Sequence, residues 1–472
     1  MPSVLIKNGT VITMDHERRV VEHCDILVEG DRIRAVGDVS DVGEMGPAGS
    51  TGVAGSTGAA GATGAANAIG ADRVIDATGC IVIPGLIQTH VHLCQALFRG
   101  MSDDMELLDW LRLRTWPLEA AHDEESIYYS ALLGIAELLR GGTTCVVDME
   151  TVNHTENAFW AIAESGIRAV SGKVMMDWGD DVPEALRETG EHSIVASVEL
   201  ADKWDGAADG RIRYAFAPRF AVSCSDWLLR EVGRIAAQRG SYIHTHSSEN
   251  RGEIEIVEAE RGARNVIYLD RVGLLGPRTI LAHCIHVDQA ELDTLRRTGT
   301  HVAHCPSVNL KLASGIAPAP EMLDMGINVG LGADGAGGNN NLDQFVEMRL
   351  AALIHKPRLG PTAMPALRVL EMATVRGAAA LRMEEEIGSI EPGKKADIVL
   401  LDLRKPHASP GACVDPVSRV VYSAHSSDVV MTMVDGRVVY GGGQLTDIDE
   451  SEVLDRCDEA VVRLARRAGI VR

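Results

Sequence analysis

A short apolar run ending in His-x-His constrains this chain more than any other feature. The run is Ile83-Pro84-Gly85-Leu86-Ile87-Gln88-Thr89-His90-Val91-His92. In a β-strand, side chains two apart share a face, so His90 and His92 present two imidazoles to one point. Two histidines near a strand end are often only polar surface residues, and this pair gains meaning from the rest of the chain. Three later apolar runs end in a similar way: Ile243-His244-Thr245-His246, Ile280-Leu281-Ala282-His283 and Val329-Gly330-Leu331-Gly332-Ala333-Asp334. Strands that deliver polar groups only at their C-terminal ends are what a parallel (β/α)8 barrel provides.

The segments around these runs fit that architecture. From about residue 81 to 384, apolar strands alternate with amphipathic helices, such as 126–140 before Thr144–Asp148, 184–188 after Ala169-Val170, and 227–239 after Tyr214–Ala217. Alternation of this kind means parallel strands joined by crossover helices. Residues 1–80 instead carry short strand-like bursts separated by Asn8-Gly9 and Glu29-Gly30-Asp31, and 385–445 repeat the pattern. The two ends are expected to pair into a small β-sandwich domain, with the barrel inserted between them and an outer helix in 446–472. Glycine recurs every third residue from Gly46 to Gly64, yet Pro47 is the only proline there. A collagen-like triple helix needs more imino acid, so 46–70 is expected to be a flexible insertion.

At 472 residues the chain exceeds one comfortable core. The 67 acidic residues against 45 basic ones give a net charge of −22, which excludes a nucleic-acid backbone or an anionic membrane as principal partner. No apolar run approaches the roughly 20 residues that span a bilayer. Nine cysteines without a Cys-x-x-Cys pair, and an N-terminus without signal-peptide layout, suggest a reduced, cytoplasmic protein.

Further residues extend the chemistry. Glu249 follows His246 by three positions in the turn after its strand. His244 and His286 read as supporting or surface groups, His301 and His304 as structural ones, and Asp343 with Glu347 as one solvated helix face. The motifs of this chain resemble the amidohydrolase superfamily, in particular its cytosine deaminase-like branch. The resemblance includes Pro84–His92, His246-x-x-Glu249, Ala282-His283-Cys284, Gly332-Ala333-Asp334-Gly335 and Gly388-Ser389-Ile390-Glu391-Pro392-Gly393-Lys394-Lys395-Ala396-Asp397.

That resemblance implies a single divalent ion, Zn²⁺ with Fe²⁺ as the alternative, held by His90, His92, His246 and Asp334. It implies that Asp334 takes a proton from the attacking water, that Glu249 shuttles it to a ring nitrogen, and that His283 orients the water. No lysine stands at the Cys145–Asp148 strand end to bridge a second metal. The implied reaction is hydrolytic deamination of an adenine nucleoside: 5′-deoxyadenosine, methylthioadenosine, S-adenosylhomocysteine or adenosine. Guanine or another purine or pterin, or an s-triazine, is the alternative. Trp116 and Glu119 lie in a segment expected over the barrel mouth, and Glu119 matches the position that holds ribose hydroxyls in the nucleoside deaminases. Arg219 departs from the histidine common there and is similar to guanine deaminase; it offers only donors. A homo-oligomer follows from the resemblance alone.

Overall fold

The computed structural model describes residues 2–39 and 70–471. The expected insertion over 46–70 therefore lies, but for Gly70, outside the described residues. Strands β1 (Ser3–Ile12), β2 (Val20–Glu29), β3 (Arg32–Gly37), β4 (Arg73–Asp76) and β5 (Ile81–Pro84) come from the N-terminal part. β1 pairs antiparallel with β2 and parallel with both β4 and β5.

The barrel follows as β6 (Leu86–His92), β7 (Thr143–Met149), β8 (Arg168–Gly172), the short β9 (Val174–Met175), β10 (Ile212–Pro218), β11 (Tyr242–Ser247), β12 (Thr279–His283), β13 (His301–His304), β14 (Val329–Leu331) and β15 (Asp334–Gly335). All of its ladders are parallel and run in chain order from β6 to β14. β15 continues from β14 and pairs with Val91 and His92 of β6, while Thr89 Oγ1 donates to Leu331 O at 3.1 Å. The sheet thus closes on its first strand. The strands are buried on both faces, as helices outside and side chains inside require.

Strands β16 (Ile398–Leu401), β17 (Val429–Val434), β18 (Arg437–Gly441) and β19 (Gln444–Leu445) complete the terminal sheet. β16 pairs antiparallel with β5, so both chain ends join one hydrogen-bonded sheet around Ile6, Val11, Ile26, Val82, Ile398 and Met433. Arg168, at the base of the barrel, binds Asp397 Oδ2 at 3.1 Å with both side chains buried, which ties that sheet to the barrel.

Two glycines are dictated by close approach. A Cβ on Gly85, where the chain passes from sheet to barrel, would stand 2.0 Å from Thr144 Oγ1; one on Gly332 would stand 2.5 Å from His90 O. The C-terminal helix Glu450–Arg467 packs outside on Glu124–Arg140, with Arg463 on Glu125 and Arg467 on Asp123. The expected helix over 184–188 is only a 3-10 turn, Glu184–Leu186. Pro183 at its entry and the extended or turn backbone before Gly190 leave no room for more.

Candidate active site

Parallel strand ends bring His90 and His92 (β6), His246 (β11), His283 (β12) and Asp334 (β15) to one point at the C-terminal mouth. His90 Nε2 and His92 Nε2 each lie 3.2 Å from Asp334 Oδ1, and His92 Nε2 lies 3.2 Å from His246 Nε2. His90, His246 and His283 also gather their ring nitrogens within 4.8 Å of one another.

Backbone carbonyls fix the tautomers. His92 Nδ1 donates to Met149 O at 2.6 Å and His246 Nδ1 to Arg219 O at 2.7 Å. Each ring then turns a bare lone pair towards the other and towards Asp334. Lone pairs and a carboxylate aimed at one point repel unless a cation lies between them. The buried His90 Nε2 and His283 Nε2 have no hydrogen-bond partner. Three imidazoles and one carboxylate fit a divalent ion of the zinc type.

Proton affinities reflect the same crowding. Burial and neighbouring imidazoles push His246 well below the usual range, and burial brings His90 to about 4. Burial also opposes charge on His92, but the neighbouring Asp334 carboxylate, which would accept from a protonated ring, outweighs it and raises that pKa. Asp334 itself is drawn well below the usual carboxylate range by His90 and His92, against the effect of burial.

Glu249 stands beside this cluster, its Oε2 3.5 Å from His283 Nε2. Burial, reinforced by the Asp334 charge, pushes its carboxyl well above the usual range, which favours the protonated form. His283 is oriented from behind by Asn309 Oδ1, 2.9 Å from its Nδ1. His90 Nδ1 meets His244 Nε2 at 2.8 Å, which gives His244 the supporting place its sequence position suggested.

Arg219 and Glu119 form a second buried pair at the rim. Arg219 reaches Glu119 Oε2 at 2.6 Å through Nη1 and Oε1 at 3.2 Å through Nη2, and Gln95 Nε2 donates to Oε1 at 2.9 Å. Arg219 lines the cavity beside the histidines together with Leu107, Trp110, Leu111, Phe220 and Glu249. Trp116, expected from sequence to bind substrate, is instead buried in the packing of the covering segment, and Trp110 is the tryptophan that lines the cavity. That segment includes a turn of π-helix, Leu111–Thr115, a rare form that recurs at functional sites. The cavity is only about 20 Å³, room for a water and not for a nucleoside.

Glu347 corrects its sequence reading. Its side chain is fully buried and accepts Ser307 N–H and Asn339 Nδ2–H, because the helix Gln344–Leu353 packs on both sides. Asp343 caps that helix through Phe345 N. His304 is buried and His301 bonds Asn328. Gln95 and the Met149 carbonyl escaped sequence reasoning, although Gln95 lies only three residues past His92; Trp110 and Asn309 fell within runs that the sequence marks, Leu107–Leu111 expected over the mouth and His304–Leu312 similar to the nucleoside deaminases, but were given no role of their own.

Among the described residues, one other triad is close enough for a metal, His407, His425 and Asp428 at the surface. Asp428 there already accepts Lys405 Nζ, His407 Nε2 and the His425 amide.

Residues 81–439 match the model of the amidohydrolase family. The chain is 36% identical to a 5′-deoxyadenosine deaminase of Methanosarcina mazei, covering 99% of both chains. It is also 36% identical to a 5-methylthioadenosine/S-adenosylhomocysteine deaminase of Pelotomaculum thermopropionicum, over 99% of this chain and 100% of the relative. Among solved structures, an adenosine deaminase from Xanthomonas campestris with bound zinc superposes with a TM-score of 0.87 at 31% identity, covering 98% of this chain and 99% of that one. No helix among the described residues is long and apolar enough to cross a membrane.

Proposed function

This chain belongs to the amidohydrolase family, and from that premise we propose that it is a zinc-dependent aminohydrolase that converts an adenine nucleoside to its inosine analogue and ammonia. 5′-Deoxyadenosine, methylthioadenosine, S-adenosylhomocysteine and adenosine are the substrates in view. The observation that carries the reading is the convergence of the His92 and His246 ring nitrogens, 3.2 Å apart, on Asp334 with the Glu249 carboxyl alongside at His283. His90, His92, His246 and Asp334 hold the ion, which when bound supplies the Lewis acidity that makes water a nucleophile near neutral pH.

The chain's own groups do the rest. Glu249, neutral before reaction, donates its proton to the ring nitrogen as water attacks the amino-bearing carbon. Asp334 accepts the proton that water loses; Glu249, now a carboxylate, takes the hydroxyl proton of the tetrahedral adduct and passes it to the leaving amine, and the proton held on Asp334 restores the Glu249 carboxylic acid. His283, held by Asn309, orients the water from the other side. Ammonia needs that second proton to leave, which favours amine over halide as the leaving group.

Substrate binding falls to the rim. Glu119 has three of its acceptor positions filled by Arg219 and Gln95. A ribose diol is therefore shared between them, Glu119 accepting from one hydroxyl and Arg219 donating to the oxygen of the other. Leu107, Trp110 and Leu111 move aside to admit the nucleoside and then exclude water. A cytoplasmic homo-oligomer accompanies this reading on family grounds.

The test is ammonia release by zinc-loaded protein from the four adenosines, guanine, cytosine and melamine, with chloride release from atrazine alongside. Preference for adenosines supports the reading. Turnover of guanine with silence on adenosines overturns it and makes Arg219 a purine-carbonyl donor.

A further inference from the structure

The opposite face of the barrel holds a second, differently built cavity. It measures about 270 Å³ and is bordered by Arg213, Arg278, Arg382, Tyr242, Asp205 and Glu386. Tyr242 opens β11, Arg213 is the second residue of β10, and Arg278 immediately precedes β12. These strands carry His246, Arg219 and His283 at their other ends, so the cavity is separated from the reaction centre by the length of the barrel strands.

Three guanidiniums meet here without carboxylate partners. Among the described residues, none of the three pairs with an acid within 4 Å, and Arg213 and Arg382 make no side-chain hydrogen bond. That is unusual in a chain whose acids outnumber its bases by 67 to 45. Arg278 is held in place over the Tyr242 ring, 5.4 Å from its centre, and Tyr242 is itself anchored by donating to Leu381 O at 2.6 Å. Arg213 lies against Gly206 and Gly210, whose Cβ positions would stand 3.6 and 3.9 Å from its terminal nitrogens, at ordinary contact distance. Of the two acids on the wall, Asp205 accepts the Tyr214 amide at 3.2 Å, and Glu386 forms no ion pair.

Planar guanidinium forks match the oxygens of phosphate, and several of them with no competing carboxylate in contact form an anion receptor. We propose that this cavity binds a phosphate-class oxyanion, either free phosphate or the phosphate of a nucleotide. The site is independent of the deamination and stands whether or not that reaction is the right one.

The test is calorimetric titration of the zinc-loaded protein, at fixed ionic strength in chloride, with inorganic phosphate, uridine 5′-monophosphate and uridine. Saturable binding of phosphate or the monophosphate, but not of uridine, is expected; whichever of the two binds tighter identifies the source. Arg213→Gln/Arg278→Gln should weaken binding about tenfold or more and leave deamination in phosphate-free buffer unchanged, whereas Glu386→Gln should tighten it. Arg382→Gln, at an exposed position, gives the same loss if the double variant folds poorly. Absence of saturable binding overturns the proposal. So does equal binding by the wild type and these arginine variants, which would place the anion elsewhere, including at the metal centre.

Discussion

Arg219 grips both oxygens of Glu119, at 2.6 and 3.2 Å, with neither side chain more than a few per cent exposed. Two charges so deeply buried depend on one another, because the attraction must offset a large desolvation penalty on each. Arg219→Met therefore leaves an uncompensated carboxylate and should cost about 3–5 kcal/mol in urea denaturation. The double variant Glu119→Leu/Arg219→Met should recover most of that stability while nucleoside turnover stays lost. Additive stability losses would show that the pair is not coupled.

Glu347 predicts a pH dependence of stability. Burial pushes its pKa up from 4.5 to about 7, partly offset by the donors Ser307 and Asn339. The folded chain then keeps a proton that the unfolded chain releases, so this group's contribution falls as pH rises from about 4.5 to about 7 and is level above. Two and a half units at about 1.4 kcal/mol each amount to about 3.5 kcal/mol. The stability difference between Glu347→Gln and the wild type should shift by about that amount in the variant's favour across this window. A difference that does not change with pH contradicts the assignment.

The indole nitrogen of Trp110 is buried without a partner beside the cavity. An orphaned donor at that place is expected to find its acceptor on bound substrate. Trp110→Phe trims the indole to one six-membered ring at a buried position and should cost about 1–2 kcal/mol of stability. It should raise KM about fivefold with kcat preserved, the size of one hydrogen bond. An unchanged KM would mean that Trp110 only covers the mouth.

The barrel and the metal-type cluster were legible because period-two strands that end in chemistry leave a repeated mark. His90, His92, His246, His283 and Asp334 all carry it, and the structure gathers all five. The groups that set their protonation carry none: the carbonyls of Met149 and Arg219 have no side-chain signature, and Asn309 sits in a helix after β13. Glu347 eludes a sequence reading because polar residues on a helix packed from two sides follow no single polar face. Glu119 was singled out by the family resemblance, but its engagement by Arg219 100 residues later is a tertiary contact that spacing cannot reveal.

Zinc content and turnover, measured together in Glu249→Gln and His246→Ala, test the central claim most directly. Glu249 is assigned to proton transfer and His246 to holding the ion. Glu249→Gln should therefore retain one zinc per chain while ammonia release from 5′-deoxyadenosine falls by about 10²–10⁴, and His246→Ala should lose both zinc and activity. Full turnover in Glu249→Gln, or full zinc occupancy in His246→Ala, would contradict the account.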